Sequence, residues 1–460
     1  MELTFIGAAR EVTGSCHLLH VNGRTVALDC GLFQGHRTEA LDKNRALPLP
    51  VDKLDALVLS HAHIDHCGRL PLLVARGYAN RIWATAATRD LTAVMLADSA
   101  HIQEKDAEFL ARKHRDADPP LYTMRDAARV ADLMVGVPYA QTFDVVPGVR
   151  ATYVDAGHIL GSASVILDCT EGTDTRRLVF SGDIGRRGLP IIRDPVPPGG
   201  AGVVIMESTY GDRDHGPMDA SRAMLARIIT ETAARGGKVL IPAFALGRTQ
   251  EVVYDLHAML RTGEIPSIPI FIDSPLATDV TTVFQMHPEV RDQSEDLVQE
   301  VPRLFRFSLA QYTRDVAESK TLNSRPGPMI IIAASGMCES GRILHHLANN
   351  AADPRTTILI VGFQAEHTLG RRIVERRETI RIFGEDVPLR ARVEVLDGYS
   401  AHADRNELLW WLESVRAASP RLRQVYLVHG EPGAQDALAA LLAPKGYSVS
   451  CPSPHLRVPF

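Results

Sequence analysis

The chain has 460 residues, 45% of them hydrophobic and 23% charged, with a formal net charge of −5. That length exceeds one ordinary domain, so two lobes are expected. The negative balance excludes a general positive field for nucleic acid and leaves any phosphate recognition to local groups.

No apolar run approaches the ~20 residues that span a bilayer, so no membrane is expected among the partners. Met1-Glu2-Leu3-Thr4-Phe5-Ile6-Gly7 lacks the basic and apolar regions of a secretory signal. Six scattered cysteines without a Cys-x-x-Cys pair point to reduced thiols and a cytoplasmic protein.

In chain order, Leu3–Ile6, His17–Val21, Thr25–Leu28, Ala56–Leu59 and Arg81–Ala84 read as short strands. From Thr85 to Met134 apolar and charged residues fall at helical spacing. Strands return at Ala151–Val154, Ser164–Leu167, Leu178–Phe180 and Val203–Met206. Strand runs framing helices predict two packed sheets with helices outside, an αββα sandwich.

The texture changes near Tyr210. Val239–Ile241, Ile270–Ile272, Met329–Ile332 and Ile358–Val361 are almost wholly apolar and alternate with amphipathic segments at Asp219–Ala234, Thr249–Arg261, Thr278–Phe284 and Gly341–Asn349. That pattern predicts a parallel sheet covered on both faces, whose carboxyl edge is the usual ligand side. Pro197–Gly200 and Val290–Glu300 read as connections. After Arg377 come β-like runs at Ile380–Phe383 and Ala391–Leu396, a helix at Arg405–Val415 and a strand at Val425–Val428. The fold class is therefore α/β, one lobe interrupted by another.

The densest chemistry is Ser60-His61-Ala62-His63-Ile64-Asp65-His66 at the end of a strand. In extended chain His61 and His63 point the same way, and a following turn brings Asp65 and His66 to a second position. Histidine with carboxylate suits zinc, while manganese and iron accept similar sets. Cys67 reads as a loop-packing residue rather than another ligand.

Further donors stand after strands and beside glycines: His158 in Ala156-Gly157-His158, Asp183 in Ser181-Gly182-Asp183, and His429 in Val428-His429-Gly430. Asp29 reads either as a group orienting a ligand histidine or as a turn cap. Glu207 and His402 are candidates for proton transfer. Among the cations, Arg186-Arg187, Arg213, Arg248 and the run from Arg371 to Arg377 are local phosphate candidates.

His61-Ala62-His63-Ile64-Asp65-His66, followed by His158 and Asp183, resembles the metallo-β-lactamase superfamily pattern in its usual order. Glu207-Ser208-Thr209-Tyr210, Ser400-Ala401-His402 and Val428-His429-Gly430-Glu431 resemble motifs A, B and C of its β-CASP branch of nucleic-acid nucleases. Pro242 to Gln250, Ala334-Ser335-Gly336-Met337 and Gly362-Phe363-Gln364-Ala365 are similar to that branch as well, so the match spans nearly the whole chain. Histidine in motif C favours RNA-directed members. His367 departs from the pattern and receives no role, and the N-terminal KH domains of many archaeal members do not appear.

The resemblance implies a metallo-β-lactamase domain over 1–208, an inserted β-CASP domain over 209–378 and a return to the first domain over 379–460. It implies two Zn2+, with Mn2+ or Fe as substitutes: His61, His63 and His158 on one ion, Asp65, His66 and His429 on the other, and Asp183 between. It implies a ribonuclease, endonucleolytic, 5′-exonucleolytic or both, in which a hydroxide activated by the two metals attacks phosphorus. Asp65, Glu207 and His402 would be catalytic, and Ser208, Thr209, Arg248 and Ser335 would contact substrate phosphates. Single-stranded RNA is the expected partner, with a homodimer allowed. Competing readings are a hydrolase of small esters or lactones on the same metals, and a non-catalytic subunit of an RNA-processing complex.

Overall fold

The computed structural model describes residues 1–35, 37–113, 119–290, 304–419 and 421–460. Beyond Val290, the connection expected at Val290–Glu300 lies outside them.

Alternation along the first strand, Glu2–Gly7, sends Leu3 and Phe5 to one face and Thr4 and Ile6 to the other. The same period runs through two seven-stranded sheets. The first runs Arg457–Pro459, Glu2–Gly7, Cys16–Val21, Arg24–Leu28, Ala56–Val58, Ile82–Ala84 and Met134–Gly136 in spatial order. The second runs Val449–Ser450, Gln424–Val428, Val203–Glu207, Asp174–Phe180, Ala163–Glu171, Val149–Asp155 and Thr142–Val146.

Leu3, Phe5, Val26 and Val58 meet Tyr153, Leu167, Phe180 and Ile205 in the layer between the sheets. Leu18, Leu57, Leu73 and Leu96 form the outer core of the first sheet, and Val204, Leu408, Trp411 and Leu438 that of the second. Each fully buried aliphatic side chain contributes ~1.5–3 kcal/mol. This is the αββα arrangement.

The helical stretch expected from Thr85 to Met134 contains two helices, Ala86–Lys113 and Met124–Leu133. Residues 114–118 of that stretch lie outside the description. The second helix begins at Thr123, whose hydroxyl accepts from Asp126 N–H while the Asp126 carboxylate accepts from Thr123 N–H.

The apolar runs of the middle region form a six-stranded sheet in the order Ala310–Tyr312, Ile270–Ile272, Met329–Ala333, Lys238–Pro242, Thr357–Ile360 and Arg392–Val395. Every pairing in it is parallel. Its central strands are buried along their whole length, as two covered faces require. At the end of Ile270–Ile272, buried Asp273 accepts from Arg342 Nη1, His346 Nε2 and Ser319 Oγ, each at 2.6 Å.

Contacts divide the chain into Met1–Asp214 with His402–Phe460, and His215–Ala401. These limits differ from the sequence boundaries at 208 and 378. The run near Ala391 is one reason: it is an edge strand of the six-stranded sheet, paired with Thr357–Ile360. Among the described residues no helix is long and apolar enough to cross a membrane.

Candidate metal centre

Strands Val149–Asp155, Asp174–Phe180, Val203–Glu207 and Gln424–Val428 share one direction in the second sheet. Their carboxyl ends therefore lie along one edge. They carry His158, Asp183, Glu207 and His429, either as the last residue or just beyond it. The other donors follow Ala56–Val58 of the first sheet. His61 and His63 sit in the extended segment after it, and Asp65 and His66 in the first turn of helix Ile64–Cys67.

Close backbone approach makes this geometry. A side chain at Gly31 would meet the Asp65 carbonyl at 1.5 Å, and one at Gly185 the Gly157 carbonyl at 1.7 Å. Both positions need glycine for the ligand loops to pack.

Two donor sets result. His63 Nδ1 lies 3.2 Å from His61 Nε2 and 3.1 Å from His158 Nε2. Asp183 Oδ2 is 3.5 Å from each of those Nε2 atoms. In the second set His66 Nε2 and His429 Nε2 are 3.1 Å apart, and Asp65 Oδ2 lies 3.4 Å from the latter. Asp183 Oδ1 stands 3.3 Å from His66 Nε2, so this carboxylate faces both sets. The donor atoms within each set fall within 4.8 Å of one another.

Does this constellation suit a cation? His61 Nδ1 lies 3.0 Å from Ser60 Oγ, which itself donates to Asp29 Oδ2 at 2.9 Å. With its one hydrogen committed, Ser60 can only accept from His61. His61 therefore turns an Nε2 lone pair toward the Asp183 carboxylate, one acceptor facing another. A metal ion between them satisfies both.

The charge states agree. Burial, together with His66, holds His61 well below the ordinary imidazole value, and burial holds His63 down at about 4. Burial raises Asp65 and Asp183, but His429, His66 and further imidazoles outweigh it, placing Asp65 at about 2 and Asp183 lower than an ordinary carboxyl. Burial lowers His66, yet Asp183 and Asp29 outweigh that and raise it. The protein thus stabilises positive charge at that spot, carried by a proton or, in its place, a metal ion.

Asp29 is fully buried and accepts from His66 Nδ1 at 2.7 Å, from Ser60 N–H at 2.8 Å and from Ser15 Oγ at 3.1 Å. Sequence reasoning passed over Ser60. The signal was a hydroxyl residue directly before the first ligand histidine. Cys67 donates its thiol to the Ala62 carbonyl and joins neither donor set.

Beside the clusters, His402 Nδ1 is 3.2 Å from both oxygens of buried Glu207. Glu207 also accepts from Ile184 N–H at 2.6 Å and Thr209 N–H at 3.3 Å, which fixes the carboxylate. Burial lowers His402, but Glu207 and Asp183 outweigh it and hold the imidazole up at about 9.

The residues expected on substrate phosphates have protein partners of their own. Ser208 is buried and donates to the Val428 carbonyl at 2.6 Å. Thr209 turns its hydroxyl onto His429. In the second unit, Arg248 is buried against Glu251, and Ser335 accepts from Glu339 N–H at 3.0 Å. His367 is exposed, with a left-handed φ of 67°.

Three family descriptions match: the metallo-β-lactamase superfamily over 9–226, the Beta-Casp domain over 249–373 and the Zn-dependent metallo-hydrolase RNA specificity domain over 386–452. Ribonuclease TTHA0252 of Thermus thermophilus is 40% identical over 98% of this chain and 98% of its own length.

The chain belongs to the β-CASP branch of the metallo-β-lactamase superfamily.

A second relative, transcription termination factor FttA of Methanosarcina mazei, is 30% identical over 94% of this chain and 67% of that protein. A protein of unknown function from Enterococcus faecalis shares the fold, with a TM-score of 0.53, 11% identity and 99% of each chain covered. Within this β-CASP chain the histidine and carboxylate donors at strand ends of the two sheets could hold a metal ion, and one matching family description names a Zn-dependent metallo-hydrolase.

Proposed function

We propose that this β-CASP protein is a zinc-dependent ribonuclease that hydrolyses phosphodiester bonds in single-stranded RNA. The observation that carries the reading is the pair of donor sets sharing Asp183, with the Glu207–His402 pair beside them. The RNA specificity domain over 386–452 and the Thermus ribonuclease support RNA as the substrate class.

His61, His63 and His158 would hold one zinc, Asp65, His66 and His429 the other, with Asp183 shared. Two ions bound there would polarise the phosphoryl group and lower the pKa of attacking water. Glu207 holds His402 by Nδ1, leaving Nε2 to carry the proton that the departing ribose oxygen needs. The Glu207 carboxylate at Nδ1 favours the protonated ring. Such acid assistance contributes ~10²–10⁴ in rate. The first unit would supply this chemistry and the inserted second unit the RNA contacts. Ser335 is a proposed phosphate contact there, since its side chain keeps partial exposure.

The test is digestion of end-labelled single-stranded RNA, 5′-phosphorylated and 5′-hydroxyl, with and without chelator and zinc. Cleavage abolished by chelation and restored by zinc is expected, and the label pattern separates internal from 5′-end attack. Intact RNA alongside rapid hydrolysis of chromogenic esters would overturn the reading in favour of a small-molecule hydrolase.

A further inference from the structure

Thr209 lies two residues beyond Glu207 and is 4% exposed. Its Oγ1 is 3.1 Å from the His429 carbonyl oxygen and 3.1 Å from His429 Nδ1. A hydroxyl has one hydrogen to give and lone pairs to receive. A carbonyl can only accept, so the Thr209 hydrogen goes to it. His429 Nδ1 must then be the donor, an N–H directed at Oγ1.

Asp183 Oδ1 is 3.6 Å from Nδ1, too distant to compete. One hydroxyl therefore selects the tautomer of His429. It leaves the lone pair on Nε2, the atom that faces Asp65 Oδ2 and His66 Nε2.

The backbone adds a second observation. His429 has φ 49°, in the left-handed region that side-chain-bearing residues rarely adopt. Three contacts hold it there. His429 N–H donates to the Ala8 carbonyl at 2.7 Å, Ser208 N–H donates to the His429 carbonyl at 3.2 Å, and the Thr209 hydroxyl donates to the same carbonyl. Thr209 is thus the one side chain among these contacts that grips both the backbone and the ring. Its β-branch restricts χ1 and so fixes the hydroxyl.

We propose that Thr209 is a positioning residue for the second metal position, holding His429 in the tautomer and orientation that ligation requires, rather than a contact for substrate phosphate. The inference rests on the metal-centre reading above. Partners of this kind typically change metal affinity or activity ~10–100-fold.

The experiment measures zinc affinity of the full chain by competition with a chromophoric chelator for wild type, Thr209→Val and Thr209→Ser. Valine keeps the shape and removes the hydroxyl, while serine restores it. The expected result is one zinc retained by Thr209→Val with the second bound ~10–100-fold more weakly, and near wild-type binding of both by Thr209→Ser. Two zincs bound by Thr209→Val as tightly as by wild type would overturn the inference and leave the metal centre standing. No zinc bound by wild type would overturn both. Should Thr209→Val fail to fold, 15N shifts of the histidine rings in zinc-loaded wild type decide. Protonated Nδ1 on His429 supports the assignment, and protonated Nε2 overturns it.

Discussion

Replacing Asp155 by asparagine should make the protein more stable in alkali and leave it nearly unchanged in acid. Asp155 ends the strand that leads to His158. Its Oδ1 accepts from Gly157 N–H at 2.9 Å, and Oδ2 has no protein hydrogen-bond partner among the described residues. The residue is 5% exposed. Burial drives its carboxyl from the ordinary 3.8 to about 7, opposed only in part by the Gly157 N–H and Arg193.

The folded pKa of this acid is raised, so between the two values the folded chain binds more protons than the unfolded one. Its contribution is fully present below the unfolded pKa and is lost as pH rises through the folded one. At 1.36 kcal/mol per unit, a rise of this size removes up to about 4 kcal/mol between pH ~4 and pH ~7. The hydrogen bond from Gly157 N–H survives in Asp155→Asn because the amide oxygen can still accept it.

Urea unfolding of both proteins across that range gives the difference directly, and contributions common to both, including the metal ligands, cancel. A gain of about 2–4 kcal/mol near pH 8 that shrinks toward pH 4 is expected. Parallel stability curves for the two proteins would refute the reasoning.

Asp183→Asn should cost metal and activity together, because Asp183 faces both donor sets; two zincs retained on elemental analysis would contradict the shared-ligand assignment. His402→Ala should keep its zinc while RNA cleavage falls ~10²–10⁴-fold, and loss of both metals in that variant would remove His402 from the acid role. Asp273→Asn should destabilise the protein by about 3–5 kcal/mol at neutral pH, the usual effect of breaking a buried charge pair. Burial raises the Asp273 carboxyl, but His346, Ser319 and Arg342 outweigh it and hold it below its ordinary value. This contribution is present above the unfolded pKa and lost as pH falls through the folded one, so the difference between the two proteins in urea unfolding should narrow in acid.

Residue types and their spacing were enough to read the chemistry of the donors and the periods of the sheets. His61 to His66 is too rich in ligand atoms for packing to explain, and the unbroken apolar runs from Val239 to Val361 could only be strands covered on both faces. Local pattern also placed His158, Asp183 and His429 after strands, since strands are short apolar runs with visible ends.

Which groups meet depends on long-range pairing that local pattern does not carry. Ser208 and Thr209 read as phosphate contacts by position, yet the pairing of Val203–Glu207 with Gln424–Val428 turns both hydroxyls onto the neighbouring strand end. Arg248 read as a phosphate candidate, and the fold makes it a buried partner of Glu251, one turn along the same helix. The run near Ala391 gave no sign of which sheet it would join, because edge strands pair on one side only and carry mixed residues. Residue types fix what each atom can donate or accept. Long-range strand pairing, across more than two hundred residues between Thr209 and His429, fixes where each hydrogen bond ends.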